Sequence, residues 1–176
     1  LSLASYSSID LFGSGTIGSS AFKSLSLSTP AVRQFGTGTI TLRASELDLA
    51  NSGQGLASAP SSAPASGNIE FQADTIALQK GTLSIQGFAN TQLLASHNIS
   101  LDQDGGLSVN GDLSLVTPVI SGEVGVSQVL DAQGALTLSR TSDTPTTTTA
   151  KLGATLGLHG REVTLDSNIN LPSGSL

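Results

Sequence analysis

The chain reads as an all-β protein, a right-handed parallel β-helix of about seven to eight rungs with two extruded loops. Three observations predict this: a composition poor in helix formers and aromatics, a recurring two-strand pattern of apolar offsets, and a repeat period near 20 residues.

Of the 176 residues only 3% are aromatic, and Trp, Met and Cys are absent, so Leu, Ile, Val and Ala must fill the interior. Charged residues make up 11%, well under the roughly 25% of an average soluble domain. Ser, Thr, Asn, Gln and Gly supply the remaining polarity; they suit sheet surfaces and turns better than helices. The net charge is −6 and the seven basic residues are scattered singly, so no stripe exists to track nucleic-acid phosphates. No apolar run approaches the roughly 18 residues of a membrane span. Zero Cys excludes a disulfide framework and thiolate metal sites.

The repeat lies in the spacing. From Gly38, the residues Ile40, Leu42, Ala44, Leu47 and Leu49 fall at offsets 2, 4, 6, 9 and 11. From Gly67, Ile69, Phe71, Ala73, Ile76 and Leu78 fall at the same offsets, and a third copy runs from Ala154 through Leu156, Leu158, Gly160, Val163 and Leu165. Weaker copies follow Gly111 and Gly134. Leu93, Ala95, Ile99 and Leu101 repeat the theme with one extra residue, as do Leu3, Ile9 and Leu11. Copies beginning at 67, 89, 111, 134 and 154 set a period of 20 to 23 residues. Offsets 2, 4 and 6 alternate as a strand does, and the step to 9 breaks that parity at a bend. Small residues at offset 6 fit a crowded corner. A third short strand follows at Leu83 and Ile85, Leu107 and Val109, and Val124 and Val126. Such rungs, stacked roughly 4.8 Å apart, make a rod on the order of 35 Å long, and the crossover rule makes its winding right-handed.

Two segments break the period. Residues 50–68 are rich in Ser, Ala, Pro and Gly, and residues 139–151 are Thr-rich around Pro145. Both are expected to leave the rod as loops and are candidates for binding or for disorder. Residues 1–176 otherwise form a single β-helix segment, and the alternating runs at both ends look cut from a longer protein.

The pattern G-x-[IL]-x-[LF]-x-A-x-x-[IL]-x-L in a Cys-free, Ser/Thr/Gly-rich chain resembles filamentous haemagglutinin-type exoproteins. These are the large secreted partners of bacterial two-partner secretion. LSLASYSSIDLFGSGTIG, GTITLRASELDLANSG and GNIEFQADTIAL carry the likeness, which covers most of the chain outside the two loops. The resemblance implies a β-helix shaft exported through an outer-membrane pore and displayed at the surface or released. It further implies adhesion to a host-cell or surface receptor, carbohydrate among the candidates. It carries over no catalytic residue, and the family's amino-terminal secretion domain is not recognisable here.

Motifs with chemistry are weak. Gly13-Ser14-Gly15-Thr16-Ile17-Gly18 matches a dinucleotide fingerprint, but an alternating strand pattern follows where a helix is required. Gly36-Thr37-Gly38 reads as a similar corner. Asp102 and Asp104, in DQDGG, are a weak calcium candidate without the later ligands of a calcium loop. Pectin-degrading enzymes share this fold class and need carboxylates clustered on neighbouring rungs. Asp74, Asp102, Asp112 and Asp131 do not fall at matching offsets, and His97 and His159 lie far apart. Asn98-Ile99-Ser100 is an N-x-S sequon whose Ile99 is a core position. The expectation is a non-catalytic adhesin shaft, secreted or at the cell surface, with no cofactor. A polysaccharide lyase or glycosidase fragment, or a tail-fibre-like spacer, is the alternative.

Overall fold

The computed structural model of the protein describes residues 1–53, 55–56, 65–140 and 151–176. Among these residues every regular element is a β-strand, and every strand pairing is parallel. The first turn contains β1 (Ser2–Ala4), β2 (Ile9–Phe12) and β3 (Gly15–Gly18), and the second contains β4 (Ser24–Ser28), β5 (Ala31–Phe35) and β6 (Thr39–Arg43). There follow β7 (Glu46–Ala50), β8 (Asn68–Leu78), β9 (Gly81–Gln86), β10 (Asn90–Leu101), β11 (Gly105–Val109) and β12 (Asp112–Val116). The last strands are β13 (Val119–Gly122), β14 (Ser127–Ala132), β15 (Ala135–Ser139), β16 (Thr155–His159), β17 (Glu162–Asp166) and β18 (Asn168–Asn170).

These strands stack into a β-solenoid of about six turns, counted on its six-stranded sheet, β2-β5-β9-β11-β14-β16. The larger sheet, of twelve strands, is folded along a corner into two ladders. The first runs β3, β6, the front half of β8, the front half of β10, β12, β15 and β17. The second runs β1, β4, β7, the back halves of β8 and β10, β13 and β18. The six-stranded sheet is the third ladder.

Alternation puts one residue in two inside, and in-register stacking turns those residues into columns. Leu25, Leu47, Ile76, Ile99 and Ile120 stand on one another in the second ladder, each buried. Leu42, Phe71, Leu93, Leu115 and Leu138 do so in the first, and Leu83, Leu107 and Leu130 in the third. Branched aliphatic side chains fit here because each needs only the depth of one rung, whereas among the described residues Phe71 and Phe88 are the only aromatic rings in the core.

The expected corner after offset 6 is present. β8 and β10 run through it as continuous strands, and Ala44 and Ala95 are buried there. The extra residue read in the copy containing Leu93 appears as a register shift between Ala95 and Asn98, a bulge that keeps Ile99 pointing inward.

Three expectations are corrected. The opening copy is out of phase, with Leu3 on Leu27 in the second ladder and Ile9 and Leu11 on β5 in the third. The copy beginning at Ala154 is out of phase: β16 stacks on β14 in the third ladder, and β17 continues β15 in the first. Val163 therefore stands on Leu136, and the copy aligned with Gly134 begins at Arg161. Val124 does not belong to a strand. Gly125, at φ +69°, turns the chain there, Val124 is exposed, and the third-ladder strand is β14, with Leu130 and Ala132 inward.

Of the two expected loops, residues 54, 57–64 and 141–150 lie outside the described residues, while Ala50, Asn68 and Ser139 are strand residues. Pairing on either side is direct. β5 hydrogen-bonds to β9 in the third ladder, and β13 to β18 in the second.

Candidate functional site

Parallel stacking brings residues about one period apart into contact, so any surface chemistry is assembled across rungs. At the corner between the first and second ladders a groove of about 390 Å³ is lined by Arg43, Ser45, Gln72, Asp74 and Ser96. Asp74 and Ser96 share offset 7 of successive copies, so the corner places one above the other. The Ser96 hydroxyl donates to Asp74 Oδ1 at 2.9 Å and lies 3.1 Å from His97 Nδ1. His97 Nδ1 is 4.0 Å from Asp74 Oδ1, and both side chains are more than half exposed.

These are the three residue types of a nucleophilic triad in a different order. A triad needs the imidazole between hydroxyl and carboxylate, so that the base receives the serine proton and the acid steadies the base. Here the hydroxyl sits in the middle and its proton points at the carboxylate. The arrangement fixes the bulge residues Ser96 and His97 onto the rung below, and it offers a hydroxyl, an imidazole and a carboxylate to the groove as hydrogen-bonding groups.

Asp102 Oδ2 accepts from Gln79 Nε2 at 3.2 Å, and Asp104 Oδ1 accepts the backbone N–H of Ser127 at 2.8 Å. Asp112 Oδ1 accepts the N–H of Ala135 at 2.8 Å in the same way. Asp104 and Asp112 thus each satisfy the N–H that opens a strand of the next rung, an arrangement that serves register. Asp131 and His159 are direct cross-rung neighbours on the outer face of the third ladder. Among the described residues no three His, Cys, Asp or Glu side chains are grouped to hold a metal. Gly15–Gly18 is strand β3, where a phosphate-binding loop would open a helix. Gly18 has φ +87°, and a Cβ there would lie 2.2 Å from the Arg43 carbonyl oxygen of the next rung. Its glycine identity is therefore a stacking requirement.

Asn98 of the sequon is half-buried within a polar ladder. Its amide oxygen accepts from Thr75 Oγ1 at 3.1 Å, and its amide nitrogen faces Ser121 Oγ at 3.5 Å. A parallel ladder links Thr39, Asn68 and Asn90, with Asn90 Nδ2 donating to Asn68 Oδ1 at 2.8 Å. Over it lies a shallow trough of about 380 Å³ carrying Glu70, Gln92, Ser114 and Thr137.

Sequence reasoning missed a cluster on the outer face of the third ladder. Arg33 clasps Asp10 on the adjacent rung with Nε to Oδ1 at 2.8 Å and Nη2 to Oδ2 at 2.7 Å. The Arg33 guanidinium, with a further hydrogen bond from Ser8, holds the Asp10 carboxyl below the usual carboxylate range, and Asp10 raises the pKa of Arg33. Beside them the rings of Phe12 and Phe35 stack at 5.3 Å between centroids, and the Arg33 guanidinium carbon lies 5.6 Å from the Phe35 centroid. The only sequence signal was that Asp10-Leu11-Phe12 and Arg33-Gln34-Phe35 share a spacing 23 residues apart.

No protein family, characterised protein or solved structure matches the chain.

Proposed function

We propose that the chain is a shaft segment of a large secreted bacterial surface adhesin, a rigid spacer that presents binding regions away from the cell. The observation that supports it is the use of surface polar groups: Asp102, Asp104, Asp112, Asn68, Asn90 and Asn98 all bond between neighbouring rungs. Such groups stiffen a rod and leave few carboxylates free to converge on a substrate. In this reading the winding is right-handed and the seven-to-eight rung count applies. The full-length protein would reach the surface through an outer-membrane pore of the two-partner type, and its receptor would be a host-cell or surface molecule, carbohydrate included.

The test pairs binding with turnover. The chain, displayed on beads, is presented to epithelial cells and immobilised glycans. In parallel it is incubated with pectins and glycosaminoglycans while new unsaturated or reducing ends are followed. The reading expects adhesion or inert spacing with no new ends; sustained release of ends would replace it with the carbohydrate-active alternative.

A further inference from the structure

We propose that the corner groove between the first and second ladders is a binding site for an acidic sugar, a ring with one carboxylate at one edge and neighbouring hydroxyls at the other. This deepens the adhesive reading, on which it rests for its role, by naming the ligand class that the shaft itself would take.

The groove follows from the repeat. Arg43, Gln72 and Leu94 stack in register as one column on its first-ladder side. Ser45, Asp74 and Ser96 form the facing column, and Ala44, Ala73 and Ala95 lie between the two as a floor. These rungs are internal, since β6, β7, β8 and β10 are paired on both sides. The corner backbone is consumed between rungs: the Ala44 N–H donates to the Gln72 carbonyl at 3.2 Å, and the Asp74 N–H to the Ser45 carbonyl at 2.9 Å. Recognition therefore falls to side chains over a narrow apolar floor, which disfavours an extended peptide seeking a backbone ladder.

The side chains divide by chemistry. Arg43 is exposed, and among the described residues its guanidinium makes no hydrogen bond or ion pair, whereas Arg33 clasps Asp10 and Arg140 meets Asp166. Glu70, diagonal to Arg43, accepts from Gln72 Nε2 at 2.9 Å. An uncommitted planar fork favours a carboxylate, which it holds with two parallel hydrogen bonds. The facing column offers acceptors. Asp74 Oδ1 takes the Ser96 hydroxyl, and among the described residues Oδ2 is left open, as is Gln72 Oε1. These oxygens accept from hydroxyls, and Ser45 either donates or accepts. A ligand that satisfies both sides has an anion at one edge, hydroxyl donors at the other and C–H faces for the alanine floor. A uronic acid ring has that layout. A bare anion meets only repulsion at Asp74, and a neutral sugar leaves Arg43 unused. The volume of about 390 Å³ lies within the range of small-ligand sites.

Titration of the isotope-labelled chain with sodium D-glucuronate to about 50 mM, at constant ionic strength, reads binding from backbone amide shifts. The expected result is saturable shifts confined to residues 43–45, 72–74 and 94–97, with a Kd on the order of 1–10 mM because the groove is open to water. Glucose and acetate each lack one half of the ligand and should bind about tenfold or more weakly. Arg43→Gln should bring glucuronate down to the level of glucose, and the free variant's spectrum should otherwise be unchanged because that side chain is exposed and unpaired. Asp74→Ala should weaken glucuronate about fivefold or more without weakening acetate, which separates sugar recognition from a bare anion site. No saturable shift by about 50 mM, shifts centred elsewhere, glucose or acetate binding as tightly as glucuronate, or indifference to Arg43→Gln would each overturn the site. No cells are present in this titration, so such a failure strikes the groove alone and leaves the bead assay as the separate test of adhesion.

Discussion

Replacing Leu93 with Ala removes a side chain that is fully buried between Phe71 below and Leu115 above, in the middle of the first-ladder column. Three carbons leave the interior, a transfer loss of about 2.4 kcal/mol at about 0.8 per methylene. Rungs held by backbone hydrogen bonds on both sides cannot collapse into the gap, so a cavity term brings the cost to about 3–4 kcal/mol. Leu165→Ala is the matched control. It lies in the same column at the open end and is already 48% exposed, so about 1 kcal/mol is lost and no cavity forms. Urea unfolding gives the two stabilities, and native-state hydrogen exchange locates the effect. For Leu93→Ala the loss of protection should centre on β8, β10 and β12, since a stacked array couples mainly nearest neighbours. A Leu93→Ala cost equal to or below that of Leu165→Ala would refute column packing as the source of stability.

Further outcomes follow from single contacts. Gln128 is buried at an inward position, in the column above Gly81 and Gly105, where its Nε2 donates to the carbonyls of Leu78, Gln79 and Gln103. Gln128→Leu should cost about 1–3 kcal/mol in urea unfolding despite its added apolar surface, because the Gln79 and Gln103 carbonyls lose the amide that bonds them, while the Leu78 carbonyl keeps the Asp102 N–H. Gly18→Ala should destabilise by more than about 1 kcal/mol in the same assay, since the backbone is left-handed and the Arg43 carbonyl occupies the Cβ position. Asp10 has its pKa lowered by Arg33, so the folded state binds this proton less readily than the unfolded chain. Its stabilisation is full above the unfolded carboxylate pKa and is lost as pH falls through the lowered one. Asp10→Asn should therefore flatten the acid limb of the stability curve, with an effect under about 1 kcal/mol at neutral pH because the pair is partly exposed. Added calcium should leave the melting temperature unchanged, because Asp104 already accepts the Ser127 N–H and Asp102 the Gln79 amide; a rise of several degrees would establish a site there.

Much of this architecture is legible in the sequence because each rung is a local event. The offsets from Gly38 and Gly67 locate β6, β7 and β8 and their shared corner, and the extra residue at Ser96-His97 announces the bulge in β10. The phase error at Ala154 has a physical origin. Any two adjacent strands joined at a corner break parity once, so a pair on the third and first ladders looks the same as a pair on the first and second. Only cross-rung pairing distinguishes them. Inward polar residues were invisible for a similar reason. Gln34 and Gln128 sit on the apolar side of their strands, where alternation alone assigns an aliphatic residue. The Asp74–Ser96–His97 and Asp10–Arg33–Phe35 clusters join residues one period apart. Their shared offsets were readable, but their chemistry emerges only once the rungs are in register.

Cross-rung register underlies all of these contacts, and one distance series measures it directly. Spin labels at outward positions of the first ladder, Thr41 paired in turn with Ser114, Thr137 and Thr164, sit three, four and five rungs apart. At roughly 4.8 Å per rung the backbone separations should climb linearly through about 14, 19 and 24 Å. Distances that fail to increase in that order, or that scatter as in a sandwich of antiparallel hairpins, would contradict the stacked parallel solenoid.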